Sequence, residues 1–151
     1  MSLANLPSYC NKLKFVQTAR EEREVDKMVE RMNVKLSTPA QPIGSLSGGN
    51  QQKAILGKWL LTKPNVLILD EPTRGIDVGA KYEIYSLIAK LAAEGMAVIL
   101  ISSELPEMMG MADRVITFCE GRITAEFTSN EIEQERIVNA AFGFQNAEEL
   151  S

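Results

Sequence analysis

The sequence of 151 residues predicts an α/β fold, with a parallel sheet core and an added helical subdomain. Two purely apolar runs, 66–69 and 97–101, predict strands, and the first has the pattern of a strand covered on both faces. Between them lies a helical pattern that Asp77 can cap and Gly95 can stop. A strand, a crossover helix and a second strand form a βαβ unit, so we expect parallel strands with ligands at their carboxyl ends.

Two more helices are predicted on the N-terminal side of this unit. The first lies within the charged stretch 20–35 and has one apolar face. That face is formed by Val25, Met28, Val29 and Met32. Residues 37–44 contain two prolines and a glycine and are expected to form a loop. The second helix starts near Asn50 and ends at 62–65, whereas residues 1–19 show little periodicity.

The last third of the chain predicts a hairpin between two helices. The expected elements are a helix over 104–111, strands over 114–118 and 122–128, and a helix over about 130–141. Glu120 and Gly121 between the strands are a hairpin turn signal. We divide the chain into a helical subdomain, residues 1–63, and an α/β core portion, residues 64–151.

Composition and charge argue against several classes of function. The net charge is −4 and none of the 16 Lys and Arg residues form a run, which argues against nucleic acid as a partner. The apolar stretches, such as 96–101, are far shorter than a membrane span. The chain has no histidine, and Cys10 and Cys119 have no CxxC spacing, so the common zinc sites are excluded. A reducing, cytoplasmic setting fits this cysteine usage best.

The string LSGGNQQK at residues 46–53 places a serine and two glycines at the start of a helix. Ser47, Gly48 and Gly49 would there offer backbone N–H groups and the positive end of the helix dipole. Because glycine has no Cβ, a phosphate can approach the backbone closely. This chemistry suits the terminal phosphate of ATP, although Ser-Gly-Gly by itself also fits a plain N-cap with a flexible turn.

Two carboxylates follow the first apolar strand directly. Asp70 ends the strand at a position where a carboxylate commonly holds Mg²⁺, directly or through water. Glu71 comes next and could orient or deprotonate an attacking water. A solvated turn after a strand is the alternative interpretation of this pair.

Together these motifs resemble the second part of a nucleotide-binding domain of an ABC transporter ATPase. LSGGNQQK is similar to the signature motif of that family, VLILDEP to its Walker B motif, and residues 73–77 to its D-loop. The strings GNQQK, TRGIDVGAK and SSELPE resemble specifically the C-terminal of two fused ATPase domains in ribose-, galactose- and arabinose-type importers. The resemblance covers about residues 10–143.

The resemblance implies a role for each motif. In this family ATP is sandwiched between two domains, so this chain would cap a nucleotide that its partner domain holds. The residues implied to contact that ATP are Leu46, Ser47, Gly48, Gly49, Asn50 and Gln51. Asp70 would bind Mg²⁺ and Glu71 would be catalytic in the domain's own site. The D-loop residues implied to communicate across the interface are Gly75, Ile76 and Asp77.

The function implied is that of an ATP-hydrolysing subunit that powers monosaccharide import across the bacterial inner membrane, with ATP and Mg²⁺ as cofactors. The implied partners are a second nucleotide-binding domain of the same subunit, a membrane permease and, indirectly, a periplasmic sugar-binding protein. No nucleic acid is expected. The subunit would lie on the cytoplasmic side, peripheral to the membrane through the permease.

Two departures from the family pattern affect these expectations. The chain contains no GxxxxGKS or GxxxxGKT phosphate-binding loop, so it resembles a fragment that we expect to be inactive by itself. Ser103 stands at the position of the family's switch histidine and is a poorer partner for a γ-phosphate. The site around Glu71 is therefore expected to be weak or inactive.

Two other functions fit parts of the sequence. A non-transport ABC ATPase acting in translation or DNA repair would share the motifs, but the acidic balance and the lack of basic arms count against it. An interaction module with vestigial motifs would share them too, and a substitution at Ser47 in the full-length subunit would then be tolerated.

Overall fold

The computed structural model describes residues 1–144. It confirms the predicted α/β class, because helices alternate with the two apolar strands along the chain. The described residues form two compact units, the first over Met1–Ile99 and the second from Leu100 onward. The predicted division after residue 63 stays a prediction.

The first unit is mainly helical. In chain order its elements are a 3-10 helix (Ser2–Tyr9), α1 (Thr18–Arg31), a 3-10 turn (Ile43–Ser45), α2 (Gly48–Leu60), β1 (Val66–Asp70), α3 (Val78–Ala93) and β2 (Ala97–Ile101), which leads into the second unit. The predicted helices are confirmed, with Asp77 at the N-cap of α3 and Gly95 just past its end. The 3-10 helix near the N-terminus is an addition, since its residues carry no helical periodicity.

Strands β1 and β2 pair with each other, as the βαβ pattern predicts. The backbone N–H of Ala97 donates to the carbonyl of Asn65 at 3.1 Å. This bond joins the residue before β1 to the first residue of β2, so both strands start at the same edge. Their carboxyl ends therefore lie at the opposite edge, where Asp70 ends β1.

The expectation that β1 is covered on both faces is wrong within this structure. Leu67 and Leu69 are buried, whereas Val66 is 51% exposed and Ile68 is 63% exposed. The side chains of a strand alternate between its two faces, so one whole face of β1 is accessible. An unbroken apolar run indicates two apolar faces, but it does not show that the same chain covers both of them.

The core of the first unit is built from the apolar faces of its helices. Met32, Leu56, Ile84 and Leu91 are almost completely buried. They come from the end of α1, from α2 and from α3, and their burial supplies the main stabilisation of this unit. The core thereby holds the start of α2 beside the start of α3.

The second unit is a hairpin with helices before and after it. Its elements are α4 (Leu105–Met111), β3 (Arg114–Cys119), β4 (Arg122–Thr128), a 3-10 turn (Ser129–Glu131) and α5 (Gln134–Ala141). Strands β3 and β4 are antiparallel, and the predicted turn is confirmed, with φ of 48° at Glu120 and 77° at Gly121. Val115, Phe127 and Ile137 are buried together in a small core.

The last helix starts later than predicted, at Gln134 rather than near residue 130. Thr128 and Glu131 form a capping box at the start of the 3-10 turn. This turn occupies residues 129–131, so the α-helix begins only after it. Among residues 1–144, no helix is both long and apolar enough to cross a membrane.

Candidate functional site

The signature segment, residues 46–53, runs from the end of a 3-10 turn into the first turns of α2. Ser47 is the N-cap residue of this helix of 13 residues, but its side chain makes no capping hydrogen bond. Its exposed hydroxyl instead accepts a hydrogen bond of 2.9 Å from the side-chain nitrogen Nδ2 of Asn50. The first N–H groups of a helix have no intrahelical partner. The backbone amides of Gly48, Gly49 and Asn50, which follow Ser47, therefore form a group of hydrogen-bond donors that we call the donor surface.

Asn50 and Gln51 tie the signature segment to the chain around it. The side-chain oxygen of Asn50 accepts from the backbone N–H of Lys35 at 2.8 Å. The side-chain nitrogen Nε2 of Gln51 donates to the backbone carbonyl of Leu46 at 2.8 Å. Both side chains therefore fix the loop that leads into α2, and their contact with ATP stays a prediction.

The two glycines of the signature segment have different surroundings. Gly49 is buried, and a Cβ added to it would lie 2.5 Å from the Cβ of Ala80 on α3. Gly48 is exposed, and a Cβ added there would lie 3.3 Å from the Cγ2 of Ile76. The lack of a side chain at Gly49 thus lets α2 approach α3 closely, a packing role that the sequence alone did not reveal.

The predicted carboxylates lie at the end of β1, as expected. Asp70 is exposed at the last position of the strand, and Glu71 is half-buried. Glu71 has a φ of 46°, in the left-handed region that residues other than glycine rarely adopt. Pro72 and Thr73 are buried directly behind it and hold the chain in this sharp turn.

The D-loop, residues 73–77, connects this turn to α3. Gly75 has a φ of 75°, a conformation that favours glycine. Asp77 caps α3, since its Oδ1 accepts from the backbone N–H of Ala80 at 2.9 Å. Ile76 and Ala80 are also the residues that face Gly48 and Gly49. The structure therefore brings the D-loop and the start of the signature segment together.

Lys53, the last residue of the signature segment, has a structural role that was not predicted. It is only 4% exposed, and its ammonium donates to the carbonyl of Asn33 at 2.8 Å and to Glu83 Oε2 at 2.6 Å. The hydrogen bond and the positive charge of Lys53 lower the pKa of the Glu83 carboxyl. A signal was present in the sequence, because Lys53 falls on the helix face that also holds Leu56 and Leu60.

The remaining site predictions concern the metal and the switch position. Asp70 offers one carboxylate, and residues 1–144 contain no group of three Cys, Asp or Glu side chains that could hold a metal ion. Ser103 belongs to the second unit, where it is exposed between β2 and α4. Beside it, the hydroxyl of Ser102 accepts from the N–H of Glu104 at 3.0 Å. The role of Ser103 stays a prediction.

Comparison with known proteins agrees with the motifs. The ABC transporter family profile matches residues 3–74. The xylose import ATP-binding protein XylG of Pseudomonas syringae pv. tomato is 52% identical over 141 residues, which is 93% of this chain. The ribose import ATP-binding protein RbsA of Clostridium perfringens is 49% identical over 146 residues, or 97% of this chain. The chain belongs to the ABC transporter family.

This ABC chain spans only part of the relatives that it matches, 26% of XylG and 29% of RbsA. Solved structures show the same fold. The cbiO1 protein of Clostridium perfringens, part of the ABC transporter complex cbiONQ, matches 82% of this chain and 49% of its own with a TM-score of 0.68 and 26% identity. The ADP conformation of MJ1267, an ATP-binding cassette of an ABC transporter, matches 88% of this chain and 54% of its own with a TM-score of 0.70 and 24% identity.

Proposed function

We propose that this chain is part of an ATP-hydrolysing subunit that powers monosaccharide import, and that its signature segment caps ATP held by a partner nucleotide-binding domain. One observation supports this most directly: the uncapped start of α2 lies against the D-loop. The relatives at about half identity, which are named as xylose and ribose import ATP-binding proteins, support the same proposal.

The start of α2 fits a phosphate. Backbone amides and the positive end of the helix dipole attract an anion at this position. Ser47 and Gly48 are both exposed, so a phosphate oxygen can reach the serine hydroxyl and the backbone N–H groups. Leu46, Asn50 and Gln51 shape the loop that presents these donors.

The end of β1 fits the Mg²⁺ ion that would accompany ATP in the domain's own site. Mg²⁺ is usually bound by one or two carboxylates together with phosphate oxygens and waters, so the single carboxylate of Asp70 suffices as a protein ligand. When bound, the ion would neutralise charge on the phosphates. Glu71 would orient the attacking water or accept its proton. Ser103, at the sequence position of the family's switch histidine, would be a weak substitute for that histidine.

The partners follow from the same proposal. A second nucleotide-binding domain of the same subunit would hold the ATP that this chain caps. A membrane permease would bind the subunit on the cytoplasmic face of the inner membrane, and a periplasmic protein would deliver the sugar to that permease. The acidic balance of the chain agrees with a protein partner rather than a nucleic acid.

A chimera tests the proposal. The matched segment of XylG would be replaced by the corresponding residues of this chain, and hydrolysis of MgATP would be measured with the XylG permease present. We expect the chimera to hydrolyse ATP, and Ser47→Arg to lower the rate at least about tenfold. A hydrogen bond to a charged group contributes about 1.5–3 kcal/mol, and about 1.4 kcal/mol corresponds to a factor of ten.

Ser129→Arg is the matched control, because Ser129 is an exposed serine of the second unit outside every predicted motif. It should leave hydrolysis unchanged. If the chimera with Ser47→Arg hydrolysed ATP as fast as the unsubstituted chimera, the signature segment would not contact the nucleotide and the proposal would be wrong.

A further inference from the structure

Lys53 occupies a position where a lysine is rarely found. Its side chain is almost completely buried on the face of α2 that packs into the core. Burial of an ammonium is costly unless the charge is paired and its N–H groups have acceptors. At this site the carboxylate of Glu83 pairs the charge, and Glu83 and the carbonyl of Asn33 supply acceptors.

The contacts of Lys53 join three segments of the first unit. Lys53 belongs to α2, the carbonyl of Asn33 lies just after α1, and the carboxylate of Glu83 belongs to α3. Asn33 has a φ of 48°, a backbone turn that brings its carbonyl to the ammonium. One side chain thus fixes α2 to both neighbouring helices.

The ion pair between Lys53 and Glu83 lies next to the close contact between Gly49 and Ala80, one turn further along α2 and α3. Lys53 follows Gly49 by four residues on α2, and Glu83 follows Ala80 by three residues on α3. Residues at these spacings lie on the same face of a helix, so the two contacts are consecutive along one interface. Two consecutive contacts define both the rotation and the register of α2 relative to α3, which a single contact leaves free.

We propose that Lys53 is a positioning residue, which holds the first turn of the signature segment in a fixed orientation to the D-loop through Asn33 and Glu83. The consequence for ATP capping rests on the proposed function, whereas the positioning itself does not. With Lys53 in place, the donor surface after Ser47 and the D-loop meet a ligand as one rigid element. Without it, the start of α2 can rotate or open independently of α3.

Amide hydrogen exchange of the purified chain tests this directly. In Lys53→Met, which keeps the length of the side chain but removes its charge, we expect exchange at Gln51 and Ala80 to accelerate at least about tenfold. These amides donate to Ser47 and to Asp77, in the first turns of α2 and α3. Amides in the middle of α1 should change much less.

Two further variants sharpen the test. Lys58→Met removes a lysine from the same helix outside this interface and should leave the exchange at Gln51 and Ala80 unchanged. Glu83→Gln changes only a half-exposed partner and should accelerate the same two amides by a smaller factor. The double variant Lys53→Met/Glu83→Gln should equal Lys53→Met alone, because both substitutions remove the same ion pair.

The positioning role would be overturned by unchanged exchange at Gln51 and Ala80 in both Lys53→Met and Glu83→Gln. Uniform acceleration of every amide in the first unit would overturn it as well, since that result describes general destabilisation. Exchange involves no nucleotide, so it is independent of the proposed function. If exchange responds as expected while Ser47→Arg leaves the chimera active, the positioning role stands and the proposed function fails.

Discussion

Substitution of Gly49 by alanine tests the contact on which the arrangement of the signature segment and the D-loop depends. The added Cβ would lie 2.5 Å from the Cβ of Ala80, much closer than real Cβ contacts, and neither atom belongs to a flexible side chain. The backbone of α2 or α3 must therefore move. We expect Gly49→Ala to destabilise the first unit.

The magnitude follows from two opposing effects. Overpacking of a filled core costs about 1–3 kcal/mol. Alanine is favoured over glycine inside a helix by up to about 1 kcal/mol, which offsets part of that cost. We expect a net loss of about 1–2 kcal/mol in the free energy of unfolding.

A compensating substitution separates this clash from other effects. Ala80→Gly alone should cost about 1 kcal/mol, because it places glycine in α3. In the double variant Gly49→Ala/Ala80→Gly, the nearest remaining atom to the new Cβ is the Cα of residue 80, at 3.7 Å, which is an ordinary contact. The double variant should therefore be more stable than Gly49→Ala, although Ala80→Gly alone destabilises.

Urea unfolding followed by Trp59 fluorescence measures these free energies. Trp59 is the single tryptophan of the chain and lies on α2, so its signal reports on the first unit. With a slope of about 2 kcal/mol per molar urea, the loss corresponds to a midpoint lowered by about 0.5–1 M. Gly44→Ala is the control, because no atom lies within 4 Å of its added Cβ. Strictly additive effects in the double variant would refute the argument from the close contact.

Two other predictions concern acid pH and catalysis. The lowered pKa of Glu83 means that its ion pair stabilises the first unit fully above its usual pKa of 4.5, and that this contribution is lost as the pH falls through the lowered value. The difference in urea midpoint between the unsubstituted chain and Glu83→Gln should therefore shrink on acidification, and a constant difference would contradict it. The purified chain of 151 residues should not hydrolyse MgATP, because it lacks the phosphate-binding loop. Phosphate release that Glu71→Gln abolishes would contradict this second prediction.

The features predicted correctly from the sequence are those that short segments encode. The helix cap at Asp77 needs only an acceptor and the next backbone turn, and the hairpin turn needs only residues that tolerate positive φ at Glu120 and Gly121. The extent of β1 follows in the same way from its short apolar run, and that of α3 from the cap at Asp77 and the stop at Gly95. Such signals do not depend on what packs against the segment.

The features missed are those that require two distant segments to be in contact. The ion pair between Lys53 and Glu83 joins residues that are 30 positions apart. The exposure of Ile68 depends on whether another part of the protein covers that face of β1. Periodicity shows that Lys53 and Ile68 lie on apolar faces, but it does not show which segment contacts those faces. The partner of Lys53 and the exposure of Ile68 could therefore not be read from local sequence.

The Gly-Gly pair shows how one motif can serve packing and binding together. From the sequence, both glycines fit the close approach of a phosphate, yet the structure places Ala80 against Gly49 and leaves Gly48 exposed. A side chain at Gly49 would first disturb the α2–α3 contact, whereas a Cβ at Gly48 would lie 3.3 Å from Cγ2 of Ile76 and 4.0 Å from the carbonyl oxygen of Gly75. Gly49 therefore sets the position of the donor surface, and Gly48 keeps that surface open to a ligand. A motif of adjacent glycines need not reflect a single physical requirement.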